Sequence, residues 1–363
     1  MAEPRTAAKV RIAVFFGGPT PEHEVSLGSA RSVLGQMDEL GWDVLPVGIT
    51  KDGRWYIGPG ALERVLAHAD PARLPLGLAV TGDQPARPAQ SFEGPPPQGV
   101  FTGYELALSL CHGRWGEDGT LQGLLVAYGL RVVGCGVTAS AVCFDKQLAK
   151  TVLTAAGIPV TRGAQVTRHD WISDRDGAAR RATERIGEGP WFVKPNRSGS
   201  SIGATGASGV PELLDAVEEA LRWDDIALIE EYVPHRELLL GVIGREELTV
   251  SPPLECMQVG EVLDYEQKYR LGKLRFETPA GVGPELLEEA RELAAAAFRA
   301  LGCQVFARVD LFLDTRDGRL RVNEVNTVPG MTAQSAFAQL MAGSGRSYPA
   351  LLEELCQLTE EIR

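Results

Sequence analysis

The chain has 363 residues, 44% apolar and 23% charged, the ordinary mix of a globular protein of two or three domains. Its net charge of −12 argues against a dedicated nucleic-acid binder, which carries a basic footprint, and against a polybasic membrane-surface protein. No apolar run approaches the roughly 20 residues that span a bilayer, and Ile12–Phe16 is too short for a secretory signal, so a cytoplasmic protein is expected.

Val10–Phe16 is a near-continuous apolar run ending at Gly17-Gly18, which predicts a buried parallel strand followed by a loop and a helix. Val44–Ile49, Leu106–Leu110, Leu121–Tyr128 and Val132–Gly134 continue the strand–helix alternation of an open parallel sheet, an α/β unit over residues 1–135. Within it, residues 66–98 hold seven prolines and little periodicity and read as a surface insertion. A second unit, 136–233, is expected to carry a helix over Asp145–Ala156 and strands at Trp191–Lys194 and Ala227–Tyr232. Between those strands, Leu213, Leu214, Val217, Ala220 and Leu221 form a helical stripe behind Pro211. The third unit, 234–363, has a helical stripe from Leu286 to Leu301, then strands Val305–Leu313 and Arg319–Val325 around the turn TRDG. The six cysteines have no C-x₂₋₄-C spacing and read as free, mostly buried thiols.

That last strand pair carries the strongest constellation. Residues two apart share a strand face, so Arg308 lies with Asp310 and Glu324 with Asn326. A hairpin centred near Asp317 sets Asp310 opposite Glu324. Facing carboxylates repel, and a divalent cation with oxygen ligands such as Mg²⁺ would remove the conflict. The second constellation is FVKPNRSGSSIG, in which a strand delivers Lys194 to a small-residue loop able to wrap phosphate oxygens. The third, FFGGPTPEHEVSLGSA, places Glu22 and Glu24 after a Gly-Gly turn, where open α/β sheets bind ligands. The fourth, CHGRWGEDGTLQG, sets His112 at the end of a predicted strand, beside the Glu117-Asp118 pair. The fifth, VLDYEQKY, lies in a polar stretch from which Lys268 and Tyr269 could reach a cleft as part of a lid over 261–276.

Taken in chain order, with Asp145-Lys146 between the fourth and second and with NEVNTVPGMT at the end, these motifs resemble those of the D-alanine–D-alanine ligases, ATP-grasp enzymes of peptidoglycan synthesis. The resemblance spans nearly the whole chain outside the proline-rich insertion. It implies an α/β chain with the ATP-grasp fold (α+β in that part) behind a Rossmann-like N-terminal open-sheet domain. It further implies a homodimer and a reaction that joins two D-alanines through an acylphosphate at the expense of ATP.

By the same resemblance, Lys146, Lys194 and Ser201 lie near the phosphates, Glu230 and the Val233 backbone face adenine, and Glu237 faces the ribose. Asp310, Glu324 and Asn326 hold two Mg²⁺ or Mn²⁺ ions, and a monovalent cation is a further candidate. Glu22 holds the first ammonium, linked through Ser200 to Tyr269 on the lid. Arg308 and the Gly330 N–H stabilise the oxyanion. Lys268 and Ser335 hold the second carboxylate, with His112 beside them. The chain departs from the family at His235, a position often held by glycine, and at Gln334, where many members have His or Tyr. Two alternatives stay open: a D-alanine–D-lactate ligase, which usually differs in the lid, and a nucleotide-binding regulator without catalysis.

Overall fold

The computed structural model describes residues 10–75, 78, 89–257, 275–278 and 281–361. The first sheet holds β1 (Arg11–Gly17), β2 (Asp43–Ile49), β3 (Trp55–Ile57), β4 (Gln90–Phe92), β5 (Leu106–Ser109) and β6 (Arg131–Val133), in the order β4-β3-β2-β1-β5-β6. Its β2-β1-β5-β6 part is parallel. The near-continuous apolar run of β1 is buried from Ile12 to Phe16, as a strand covered on both faces must be.

The expected surface insertion is only partly one. Gln90–Phe92 pairs antiparallel with Trp55–Ile57 at the sheet edge, and Leu74 and Leu78 are buried in the core. Apolar burial of those two leucines outweighs the high proline content around them.

The second sheet is antiparallel: β7 (Gly163–Thr167), β8 (Trp191–Pro195), β9 (Thr205–Ala207) and β10 (Ile226–Glu231), ordered β7-β10-β8-β9. The third holds β11 (His235–Gly244), β12 (Leu248–Val250), β13 (Leu254–Met257), β14 (Arg275–Glu277), β15 (Val305–Asp314) and β16 (Leu320–Asn326). Its order is β14-β13-β11-β15-β16, with β12 also on β11. Of the expected lid, only residues 275–276 are described, and they belong to β14, paired with β13.

Packing does not follow the unit boundaries drawn along the sequence. Helices Val137–Phe144 and Lys146–Ala155 share a core with the third sheet and helix Pro284–Ala300, through Cys143, Ala149, Leu153, Val309 and Phe298. The C-terminal helices Ala336–Gly343 and Tyr348–Glu360 pack Phe337, Leu340, Leu352 and Leu355 into the core of the first sheet. The second sheet, with helices Arg175–Ile186 and Val210–Trp223, has a core of its own, and the other face of the first sheet has one too, through Phe15, Trp55, Phe101 and Leu121. The three sheets are thereby stitched around one cleft. All six cysteines are free, five of them buried.

Candidate active site

The carboxyl ends of β1 and β5 are joined by one side chain. Ser26 donates from its hydroxyl to the Leu110 carbonyl at 2.6 Å and accepts the Gly17 N–H at 2.8 Å. Gly17 has φ +87°, and a Cβ there would stand 2.1 Å from the Ile49 carbonyl oxygen, so only glycine fits this turn. The two loops deliver Glu22 and His112 to the cleft.

His112 is buried, and burial lowers its pKa below the ordinary imidazole range, so the ring is neutral near pH 7. Its Nε2 has no hydrogen-bond partner among the described residues. Beside it Glu117 accepts the Gly113 N–H at 2.6 Å. Burial, with the Glu22 charge adding, pushes the Glu117 carboxyl up to about 8.

Across the cleft lies the serine-rich loop after β8. Ser200 and Ser201 both adopt left-handed backbone, φ +52° and +58°. The Ser200 hydroxyl donates to Glu22 Oε1 at 2.5 Å, joining the loop to the first sheet's unit. The loop's base is fixed by the buried Asp224, which accepts the Arg197 N–H at 2.8 Å and its guanidinium at 2.7 Å. Lys146 donates to the Ser198 carbonyl at 2.6 Å and stands 3.5 Å from Glu324 Oε2.

On the third sheet Asp310 faces Glu324 and Arg308 faces Asn326. Arg308 is bidentate to Asp310, with both contacts at 2.7 Å, and Asn326 Nδ2 donates to Asp310 Oδ2 at 3.0 Å. Burial of Asp310 prevails over the Arg308 charge and pushes its carboxyl up to about 7, with Glu237 and Glu324 adding to the rise. Among the described residues no group of three His, Cys, Asp or Glu side chains gathers as a metal site. The donor set here is two carboxylates and an amide oxygen. That set fits a hard cation that completes its shell with phosphate oxygens and water.

The far end of the cleft is an aromatic slot lined by Phe192 of β8 and Phe312 of β15. The connection from β10 to β11 is pinned on both sides. Tyr232 N–H donates to the Pro190 carbonyl at 3.0 Å, and Thr315 N–H donates to the Pro234 carbonyl at 2.9 Å. His235 Nδ1 donates to the Val233 carbonyl at 2.6 Å, and its ring stacks on Phe312 at 3.7 Å between centroids. Among the described residues no hydrogen bond takes the Val233 N–H. Glu230 lies behind, accepting from Lys194 and Lys150, each at 2.7 Å.

Residues 11–135 match the family described as D-ala D-ala ligase N-terminus, and residues 152–357 that described as D-ala D-ala ligase C-terminus. The D-alanine--D-alanine ligase of Deinococcus radiodurans is 39% identical over 358 residues, covering 98% of this chain and all of that one. That of Chlorobium luteolum is 39% identical over 352 residues, covering 96% and 97%. Among solved structures, the VanG D-Ala:D-Ser ligase of Enterococcus faecalis aligns with TM-score 0.79 at 33% identity, covering 97% and 99%. The D-alanine-D-alanine ligase of Coxiella burnetii aligns with TM-score 0.76 at 30% identity, covering 97% and 95%.

The chain belongs to the D-alanine–D-alanine ligase family. It is therefore an ATP-dependent ligase with the ATP-grasp fold, and a divalent cation belongs to its chemistry.

For this ligase, Glu22, His112, Lys146, Lys194, Ser200, Ser201, Glu230, Val233, Glu237, Arg308, Asp310, Glu324, Asn326 and Gly330 all line one cleft of about 620 Å³. Ser335 stands just behind it. Its hydroxyl accepts the Thr332 N–H at 3.0 Å, and a Cβ on Gly330 would lie 3.1 Å from that hydroxyl. Lys268 and Tyr269 lie outside the described residues. Glu117, Asn323 and Lys150 escaped the sequence reading as site residues. Glu117 was visible only as half of an acidic pair, and Asn323 faces the cleft only because β16 is irregular beside it.

Proposed function

We propose that this ligase joins two D-alanines into D-alanyl-D-alanine, cleaving ATP to ADP and phosphate, as a step of peptidoglycan-precursor synthesis. The observation that carries the reading is the 2.5 Å bond from Ser200 to Glu22, within the family established above. It sets an ammonium-binding carboxylate one hydrogen bond from a loop suited to phosphate.

Lys146, Lys194 and Ser201 hold the phosphates. The Val233 N–H and Glu230 read adenine, and Glu237 takes the ribose. Asp310, Glu324 and Asn326 hold two Mg²⁺ or Mn²⁺ ions, which when bound offset charge on the transferred phosphoryl group. Glu22, with Ser200 and Tyr269, fixes the ammonium of the first D-alanine so that its carboxylate takes the γ-phosphoryl and ADP leaves. The second D-alanine, its carboxylate on Lys268 and Ser335 beside neutral His112, attacks as the free amine. The carbon–nitrogen bond forms, the bond to phosphate breaks, and phosphate departs. Arg308 and the Gly330 N–H stabilise the oxyanion between these events, and losing one such donor costs about 2.7–4 kcal/mol in other enzymes. A homodimer formed through residues 1–135, a cytoplasmic location and stimulation by a monovalent cation complete the proposal.

The test is incubation with ATP, Mg²⁺ and equal D-alanine, D-lactate and D-serine near neutral pH, with phosphate release and products read together. D-alanyl-D-alanine as the main product is expected. A depsipeptide or D-alanyl-D-serine as main product would overturn the acceptor assignment, and absence of phosphate release would favour the regulator.

A further inference from the structure

Lysine is scarce in this chain, seven residues in 363, yet two lysines converge on one buried carboxylate. Glu230 Oε1 lies 2.7 Å from Lys150 Nζ and Glu230 Oε2 lies 2.7 Å from Lys194 Nζ. The side chains of Glu230, Lys150 and Lys194 are 3%, 6% and 10% exposed. The two cations are not equivalent. Lys150 also donates to the Thr161 hydroxyl and, at 3.4 Å, to the Thr161 carbonyl, and that hydroxyl is 3.2 Å from Glu230 Oε1. Its donors are thus committed to a closed shell. Lys194 has Glu230 and, at 3.5 Å, the Asn323 amide oxygen, and it lines the open cleft.

The helix Lys146–Ala155 explains the division. Residues four apart share a helix face, so Lys146 and Lys150 point the same way, one to the serine loop and Glu324, the other to Glu230. A buried carboxylate stripped of its only cation is strongly unfavourable. If Lys194 were the sole partner of Glu230, a nucleotide could draw it away only by leaving that charge unpaired. Although burial acts to raise it, the two lysines hold the Glu230 carboxyl down at about 2, so it stays charged.

We infer that Lys150 is a positioning residue, the permanent counter-ion of Glu230, and that its presence releases Lys194 to turn from Glu230 to the phosphates of the nucleotide. The inference rests on the assignment of the cleft to ATP.

The experiment compares affinities for adenosine and for ADP with Mg²⁺, by calorimetry on the full chain. Their ratio isolates the phosphate contacts from the nucleobase contacts. Lys150→Met should lower the ADP-to-adenosine ratio by about tenfold, the worth of one charge-assisted bond, because Glu230 then retains Lys194. Lys150→Met combined with Glu230→Gln should restore the ratio to within about threefold of the parent, since the captor has lost its charge. Lys150→Arg should leave it unchanged. A lysine with a merely structural role would weaken adenosine and ADP together and leave the ratio alone. That outcome, or a ratio still depressed in the double variant, would overturn the inference. Should Lys150→Met fail to fold, Lys150→Gln keeps a hydrogen-bond donor without the charge and must lower the ratio in the same direction. A parent protein that binds neither probe would overturn the ATP assignment itself, and this inference with it.

Discussion

Asp310 stands directly opposite Glu324 on adjacent antiparallel strands while both its oxygens are held by Arg308. Burial first, and neighbouring carboxylates after it, place the Asp310 carboxyl at about 7 rather than in the usual carboxylate range. A cation at this site competes with a proton. The protonated acid is the poorer ligand, so affinity falls as pH drops below about 7 and levels above it. One linked proton gives about a tenfold loss per pH unit on the acid side. Mn²⁺ titration followed by electron paramagnetic resonance checks this, and flat affinity between about pH 5 and about pH 8 would show the Asp310 carboxyl to be ionised throughout that range. Glu324→Gln should weaken Mn²⁺ by more than about tenfold and abolish turnover with the fold intact by circular dichroism.

The facing of Asp310 and Glu324 was legible from the sequence, though by a route that hid one detail. Centring the hairpin on Asp317 gives that pairing, yet Leu313 pairs with Leu320 and Leu311 with Val322, a register centred half a residue earlier. An irregularity between Asp310 and Leu311 shifts the ladder and leaves Asn323 as the extra residue. Such a bulge can turn consecutive side chains toward one face, and Asn323 and Glu324 both line the cleft. Strand alternation alone sends Asn323 to the opposite face. The parallel core of the first sheet was readable because β1 is a continuous apolar run. The helix Val137–Phe144 was not, since its partner is a sheet more than 90 residues further along the chain. Motif order carried the site residues, whereas Lys150 is visible only once Glu230 lies beside it.

Glu117 makes folding itself depend on pH. Its carboxyl sits at about 8 in the folded chain, pushed up by burial, against an ordinary 4.5. Between those values the folded state holds a proton that the unfolded state has released. The stabilisation from this group is complete below about 4.5 and is lost as pH rises through about 8, by up to about 1.4 kcal/mol per unit. Glu117→Gln keeps an acceptor for the Gly113 N–H and carries no proton equilibrium. Its melting temperature relative to the parent should therefore rise between about pH 5 and about pH 9. A difference that stays constant over that range would show Glu117 to be ionised like an exposed acid.

His235 stands where many family members have glycine, and its ring has two partners, the Val233 carbonyl and the face of Phe312. The stack contributes about 0.5–1.5 kcal/mol, and its target is one wall of the aromatic slot proposed to take the nucleobase. His235→Ala should raise the KM for ATP by about three- to tenfold with kcat nearly unchanged, because neither partner meets the reacting atoms. Steady-state kinetics with saturating D-alanine distinguish this from a general loss of activity, in which kcat falls and KM holds.

Asp224 and Arg114 form an ion pair whose two members should respond unequally to removal. The Asp224 side chain is fully buried, while the Arg114 side chain is 57% exposed and reaches it at 3.3 Å from the His112 loop. Asp224 also accepts the Arg197 backbone and guanidinium and the Asp225 N–H. Arg114→Ala removes one solvent-screened contact and should cost about 0–1 kcal/mol. Asp224→Asn keeps the shape but leaves the Arg197 guanidinium, one-third exposed, without its counter-charge. Breaking a fully buried pair costs about 3–5 kcal/mol, and solvent access to Arg197 reduces this to roughly 2 kcal/mol. Because Arg197 begins the loop that carries Ser200 and Ser201, Asp224→Asn should also raise the KM for ATP, whereas Arg114→Ala should leave it within about twofold. Urea unfolding of both variants, with ATP kinetics on the same samples, decides the matter. Equal destabilisation would show that burial of Asp224 does not set the strength of this anchor, and an unchanged KM in Asp224→Asn would show that the loop holds its shape without it.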